Sequence, residues 1–137
     1  MKSRNRAVTI ILLVLTIAAG LASRHFAAML PPILQKNAGD ILWDTAVYFV
    51  LTVFSPKAFP GRVMLLSIAV GFAVEFLKLC DIPALQEIRA SAIGGSVLGH
   101  AFSWTNLVCY AIGALLAMVV DLLLGAHPGK SDGGAKR

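Results

Sequence analysis

Residues 63–79 read VMLLSIAVGFAVEFLKL, an apolar run of helical length interrupted only by Glu75 and Lys78. A helix that is apolar on every side belongs in the core of a large protein or in a membrane. The whole chain has 137 residues, too few to bury such a helix in a water-soluble core. It is 58% hydrophobic and 14% charged, where soluble domains carry about a quarter charged residues. The mean hydropathy of +0.79 agrees, and lipid is the natural solvent for this sequence.

Working outward, the run is preceded by a basic turn, Ser55-Pro56-Lys57 and Pro60-Gly61-Arg62. Before that turn lies a second apolar run from Asp40 to Phe54, short for a span of about 20 residues. Residues 27–39 hold Pro31-Pro32, Lys36, Asn37 and Gly39, and are expected to form a loop. The first apolar run covers residues 7–22 and ends at Arg24-His25. It fits a first membrane helix or a signal peptide, and the membrane character of the remaining chain favours the helix.

Downstream of residue 79, Asp81 and Pro83 end the third run. Residues 84–103 are mixed: Gln86, Glu87 and Arg89, then a small-residue stretch with Ser91, Gly95 and Gly99 at intervals of four. This segment is too polar to span and reads as a short re-entrant or interfacial helix. A last apolar run covers 105–124, and a polar tail from Ala126 to Arg137 is expected to be disordered.

The expected fold is therefore all-α: an integral membrane bundle of four transmembrane helices at about 7–24, 38–55, 62–80 and 104–125. A short re-entrant or interfacial helix lies between the third and fourth. Residues 1–125 form one domain and 126–137 a cytoplasmic tail.

The net charge of +5 is a statement about topology, because Lys and Arg flank apolar spans instead of clustering on a soluble face. Nucleic acid is not an expected partner. Lys2, Arg4, Arg6, Lys57, Arg62, Lys130, Lys136 and Arg137 fall on one side of the membrane, against Arg24, Lys36 and Arg89 on the other. The larger set belongs in the cytoplasm, with both termini. The lipid bilayer is the expected partner. The small-residue stripe leaves a homo-oligomer open.

Helical spacing places the polar and small residues of each span on one face. The first span lines up Thr9, Thr16, Gly20 and Arg24, and the second Asp40, Asp44 and Tyr48. The third has Ser67, Gly71, Glu75 and Lys78, and the fourth Asn106, Tyr110, Gly113, Ala117 and Asp121. Such stripes are where membrane helices pack on each other. Charges at that depth are costly and mark either interhelical bonding or function. The functional alternative is an outward-facing pocket around Glu75, with Asp40, Lys78, Arg89, His100 and Asn106. It would bind a lipid headgroup or small ligand, or pass protons. The structural alternative makes the same residues interhelical hydrogen bonds, with Glu75 and Lys78 paired one turn apart.

No catalytic motif is present: no P-loop, no dinucleotide-binding glycine pattern, no nucleophile elbow, no zinc motif. No cofactor or metal is expected. Cys80 and Cys109 are neither a disulfide framework nor a metal-ligand set; two buried apolar thiols are the favoured reading, and a disulfide near the outer helix ends stays open.

Gly39-Asp40-Ile41-Leu42-Trp43 with Tyr48, Glu75-Phe76-Leu77-Lys78-Leu79, Arg89, and Leu98-Gly99-His100-Ala101-Phe102-Ser103-Trp104 with Tyr110 and Gly113 resemble the domain of unknown function 2809 family of small bacterial membrane proteins. The layout is also similar to VanZ-like proteins, with an acid-x-x-Gln motif before a polar-led final helix. Lys78 stands where that pattern has Gln and Asn106 where it has Asp. The resemblance implies a multi-pass protein of the bacterial inner membrane and envelope, and implies no activity. Two other classes stay open: a subunit of an oligomeric transporter or channel, and a membrane enzyme acting on a lipid-linked substrate.

Overall fold

A computed structural model describes residues 5–80, 82–91 and 102–125. The expected tail at 126–137, together with Gly95, Gly99 and His100, lies outside the described residues. The described chain is all-helical: α1 Arg6–His25, α2 Pro32–Phe54, α3 Pro60–Leu77, α4 Pro83–Ala90 and α5 Trp104–Val120, which continues through a wider π-helical turn, Asp121–Gly125.

Local chemistry sets the helix starts. Asn5 caps α1, its side-chain oxygen accepting from the backbone N–H of Ala7 at 2.9 Å and of Val8 at 3.4 Å. The helices α2, α3 and α4 each open on a proline. The fixed φ of proline suits a first helical turn, where its missing N–H would have no partner. This is why the expected loop at 27–39 is mostly helix. Only the turn Ala27–Met29 and Leu30-Pro31 separate α1 from α2, which starts at Pro32 rather than near residue 38. The third helix likewise runs from Pro60 to Leu77, shifted from the expected 62–80.

Among the described residues three helices, α1, α3 and Trp104–Leu124, are long and apolar enough to cross a membrane. The 23-residue α2 carries Lys36, Asp40 and Asp44, and it is the centre of the assembly, packing against α1, α3 and α5. Close approach between α2 and α5 depends on Gly113, whose Cα rests on the Ile41 backbone carbonyl. The Thr45 hydroxyl sits between the carbonyls of Gly113 and Ile41, at 2.9 and 3.0 Å.

The distribution of polarity is inverted relative to a water-soluble protein. Thr9, Asp44, Thr45, Thr52, Ser67, Glu75, Asn106 and Asp121 are buried, while Leu15, Leu21, Leu65, Leu123 and other large apolar side chains are exposed. Backbone groups in hydrocarbon must be satisfied within helices, and polar side chains must find partners between them. The buried stripes of α3 and α5 fall on the faces predicted from their spacing, Ser67-Gly71-Glu75 and Asn106-Tyr110-Gly113-Ala117.

Candidate functional site

The polar stripes of α3 and α5 meet at Glu75, whose side chain is fully buried. Its Oε1 accepts from Lys78 Nζ at 2.8 Å and from the Tyr110 hydroxyl at 2.9 Å. Its Oε2 accepts from the backbone N–H of Ser103 at 2.7 Å, and Asn106 Nδ2 spans both oxygens at 3.1 and 3.3 Å. A buried carboxylate is tolerable when a cation and several donors surround it. Lys78 is the cation, one turn away, and only 6% of its side chain is exposed. The arrangement clamps the end of α3 to the start of α5.

Glu75, Lys78 and Asn106 are therefore brought together. Asp40 lies on α2 within electrostatic reach of Tyr110, as does Asp44. Arg89 belongs to a different contact: its Nη2 donates to the Leu77 carbonyl at 2.7 Å and its Nη1 reaches the Cys80 carbonyl at 3.5 Å. These are carbonyls at and just beyond the end of α3, so Arg89 caps that helix. His100 lies outside the described residues. Neither cysteine is in a disulfide: Cys80 is exposed and Cys109 buried.

Two features are not apparent from residue spacing. The first is Asp44, fully buried with no hydrogen-bond partner on either carboxylate oxygen. Ser67 lies beside it, but the Ser67 hydroxyl donates to the Met64 carbonyl at 3.0 Å within its own helix. On the next turn of α2, the Tyr48 hydroxyl donates to Asp121 Oδ2 at 2.6 Å.

The second is a groove of about 590 Å³ between α1, α2 and α3. Leu13, Leu21, Trp43, Val47 and Val70 are among its walls, and Arg24 is its one charged lining residue. Arg24 lies across Gly39, its Nε 2.8 Å from where a Cβ on that glycine would stand. No carboxylate pairs with Arg24 among the described residues.

With this geometry in place, comparison with known families is decisive at one point: residues 29–114 match the family described as protein of unknown function (DUF2809). The chain belongs to the DUF2809 family. No solved structure matches it. The DUF2809 match contains α2, α3, α4 and the first half of α5, and with them Asp44, Glu75, Lys78, Asn106 and Tyr110. Arg24 and Asp121 stand outside the part that matches DUF2809.

Proposed function

We propose that this DUF2809 protein is a non-enzymatic membrane protein of the bacterial cell envelope that binds a lipid. In this proposal α2 is a fourth span, both termini are cytoplasmic, and the Glu75 pole of the bundle faces outward. The lipid tail occupies the groove between α1, α2 and α3, and an anionic headgroup meets Arg24 beside the polar end of the bundle.

The observation that carries this proposal is the groove itself, about 590 Å³ in volume and apolar-walled, with one guanidinium that has no carboxylate partner among the described residues. Its size is ordinary for a small-molecule site. A guanidinium in the last turn of α1, with no carboxylate partner among the described residues, favours a phosphate, which it can hold through paired N–H donors. The Glu75 clamp has a supporting part, because fixing α3 to α5 steadies the α3 wall of the groove.

Trp43 lines the groove and reports on its occupant. The test uses the full chain carrying Trp104→Phe, since Trp104 is 70% exposed and would report bulk lipid. In detergent micelles, phosphatidylglycerol with brominated acyl chains should quench Trp43 at a lower mole fraction than brominated phosphatidylcholine does. Arg24→Gln should remove the difference. Equal quenching by the two lipids before that substitution would refute the proposal.

A further inference from the structure

The groove between α1, α2 and α3 has a length and a floor. The 20 residues of α1 are enough to cross a hydrocarbon core of about 30 Å, but the groove runs along only the second half, from Leu13 to Arg24. Arg24 follows Leu13 by eleven residues, about 16 Å at a rise of about 1.5 Å each. One leaflet of the core is about 15 Å thick. The groove is thus one leaflet deep, with the Arg24 guanidinium at its mouth. Its back is the close approach of α1 to α2 at Gly20, where an added Cβ would stand 3.7 Å from Leu42 Cβ. In the wall, Thr16 spends its hydroxyl hydrogen on the Leu12 carbonyl at 2.7 Å, so that donor is closed to a ligand. At the inner end Leu13 and Leu51 pack against the cluster of Tyr48, Phe49, Val63 and Ala117. Thr9, one turn before Leu13, and Thr52, next to Leu51, are buried, so the helices have closed together there.

We propose that the groove is a chain-length gauge. It seats one acyl chain of an anionic phospholipid from the leaflet on the Arg24 side, and Leu13 and Leu51 are the stop for the end of that chain. Lipid binding at the groove, as proposed above, is the premise. Volume sets the number of chains. A methylene fills about the space of a water molecule, about 30 Å³, so a groove of about 590 Å³ holds about 20 carbons. That is room for one ordinary acyl chain and not for two, and the second chain of a diacyl lipid stays in the bilayer. Length sets the preferred chain, because chains that fill a leaflet of this depth carry about 16 carbons. Arg24 and Leu13 stand on one helix, so the distance from mouth to stop does not change with the lipid. A shorter chain leaves Leu13 and Leu51 facing a void and forfeits their contacts. A longer chain must kink or lift its headgroup off Arg24.

The test follows Trp43 in the full chain carrying Trp104→Phe, in detergent micelles, with brominated phosphatidylglycerol as the quencher. Lysophosphatidylglycerols with one saturated chain of twelve, sixteen or twenty carbons then compete for the groove. The sixteen-carbon lipid should restore fluorescence at a several-fold lower mole fraction than either of the others. Leu13→Ala lowers the floor and should move the optimum to twenty carbons. Leu51→Ala provides a second floor variant should Leu13→Ala fail to fold. Leu21→Ala, in the wall, should weaken all three competitors without moving the optimum. Potency that rises or falls steadily with chain length in the unmodified protein would overturn the proposal, as would an unmoved optimum in a folded floor variant. Either result leaves lipid binding standing wherever phosphatidylglycerol still quenches Trp43 ahead of phosphatidylcholine. Equal quenching by those two lipids removes the premise, and the gauge with it.

Discussion

Tyr110 on α5 donates its hydroxyl to Glu75 on α3 at 2.9 Å, and both side chains are buried. The bond joins two candidate membrane helices, and interhelical hydrogen bonds in membranes contribute about 0.6 kcal/mol on average and up to about 1.7. Glu75 keeps Lys78, Asn106 and Ser103 when Tyr110 is lost. Tyr110→Phe should therefore cost only about 1 kcal/mol in an unfolding titration in mixed micelles. Glu75→Ala removes the common acceptor and leaves Lys78 buried without a counter-ion, which should cost about 3–5 kcal/mol. Equal losses in the two variants would mean that Glu75 is not the hub.

Two glycines should respond oppositely to the same methyl. A Cβ on Gly113 would run into the Ile41 backbone carbonyl, which cannot move without shifting α2. Gly113→Ala should destabilise by about 3 kcal/mol, the upper end for overpacking, or lower the folded yield. A Cβ on Gly20 would sit 3.7 Å from Leu42 Cβ, an ordinary contact. Gly20→Ala should be neutral or stabilising by up to about 1 kcal/mol through helix propensity. Thermal melting in one detergent compares them directly.

Gly39→Ala addresses the lipid proposal without removing a charge. The new methyl would press on Arg24 Nε, part of a flexible side chain that can swing away. Stability should change by less than about 1 kcal/mol. The preference of Trp43 quenching for phosphatidylglycerol should nonetheless shrink, because the guanidinium has left its seat. Unchanged preference would place the headgroup contact elsewhere.

The thiols supply a check on the packing. Cys80 is exposed and Cys109 buried. A water-soluble maleimide should add a single label to the native protein in detergent, and a second only after denaturation in SDS, as read by mass spectrometry. Rapid double labelling of the native protein would contradict the packing of α5.

Much of the polar interior was legible because membrane helices reverse the usual logic. Ser67, Gly71, Glu75, Asn106, Tyr110 and Gly113 stand out as small or polar positions at helical spacing, and burial falls on them. Glu75–Lys78 pairing follows from residues one turn apart on a single helix. What spacing cannot reveal is contact across helices. The contacts of Arg89, a candidate ligand residue in the sequence, are set by the fold-back of α4, which brings its guanidinium to the carbonyls of Leu77 and Cys80. Arg24 over Gly39 depends on how closely α1 and α2 approach. The placing of Asp44 beside Ser67 depends on how α2 packs on α3. Pro31-Pro32 reads as a loop because proline breaks helices, yet the second proline begins one.

The central place of α2 bears on how the protein is made. An aspartate at the middle of a helix opposes entry into the bilayer by about 2.5–3.5 kcal/mol on the insertion scale, and α2 carries Asp44 there with Asp40 one turn away. In the proposed four-span arrangement, the surfaces that cover these acids are α3 and α5, both of which leave the ribosome later. A nascent chain ending before α5 would have α2 poorly seated, held at the translocon or slipping back toward water. Synthesis of the last helix would then be the event that commits the second to the membrane, and truncations within α5 should be cleared by quality-control proteases.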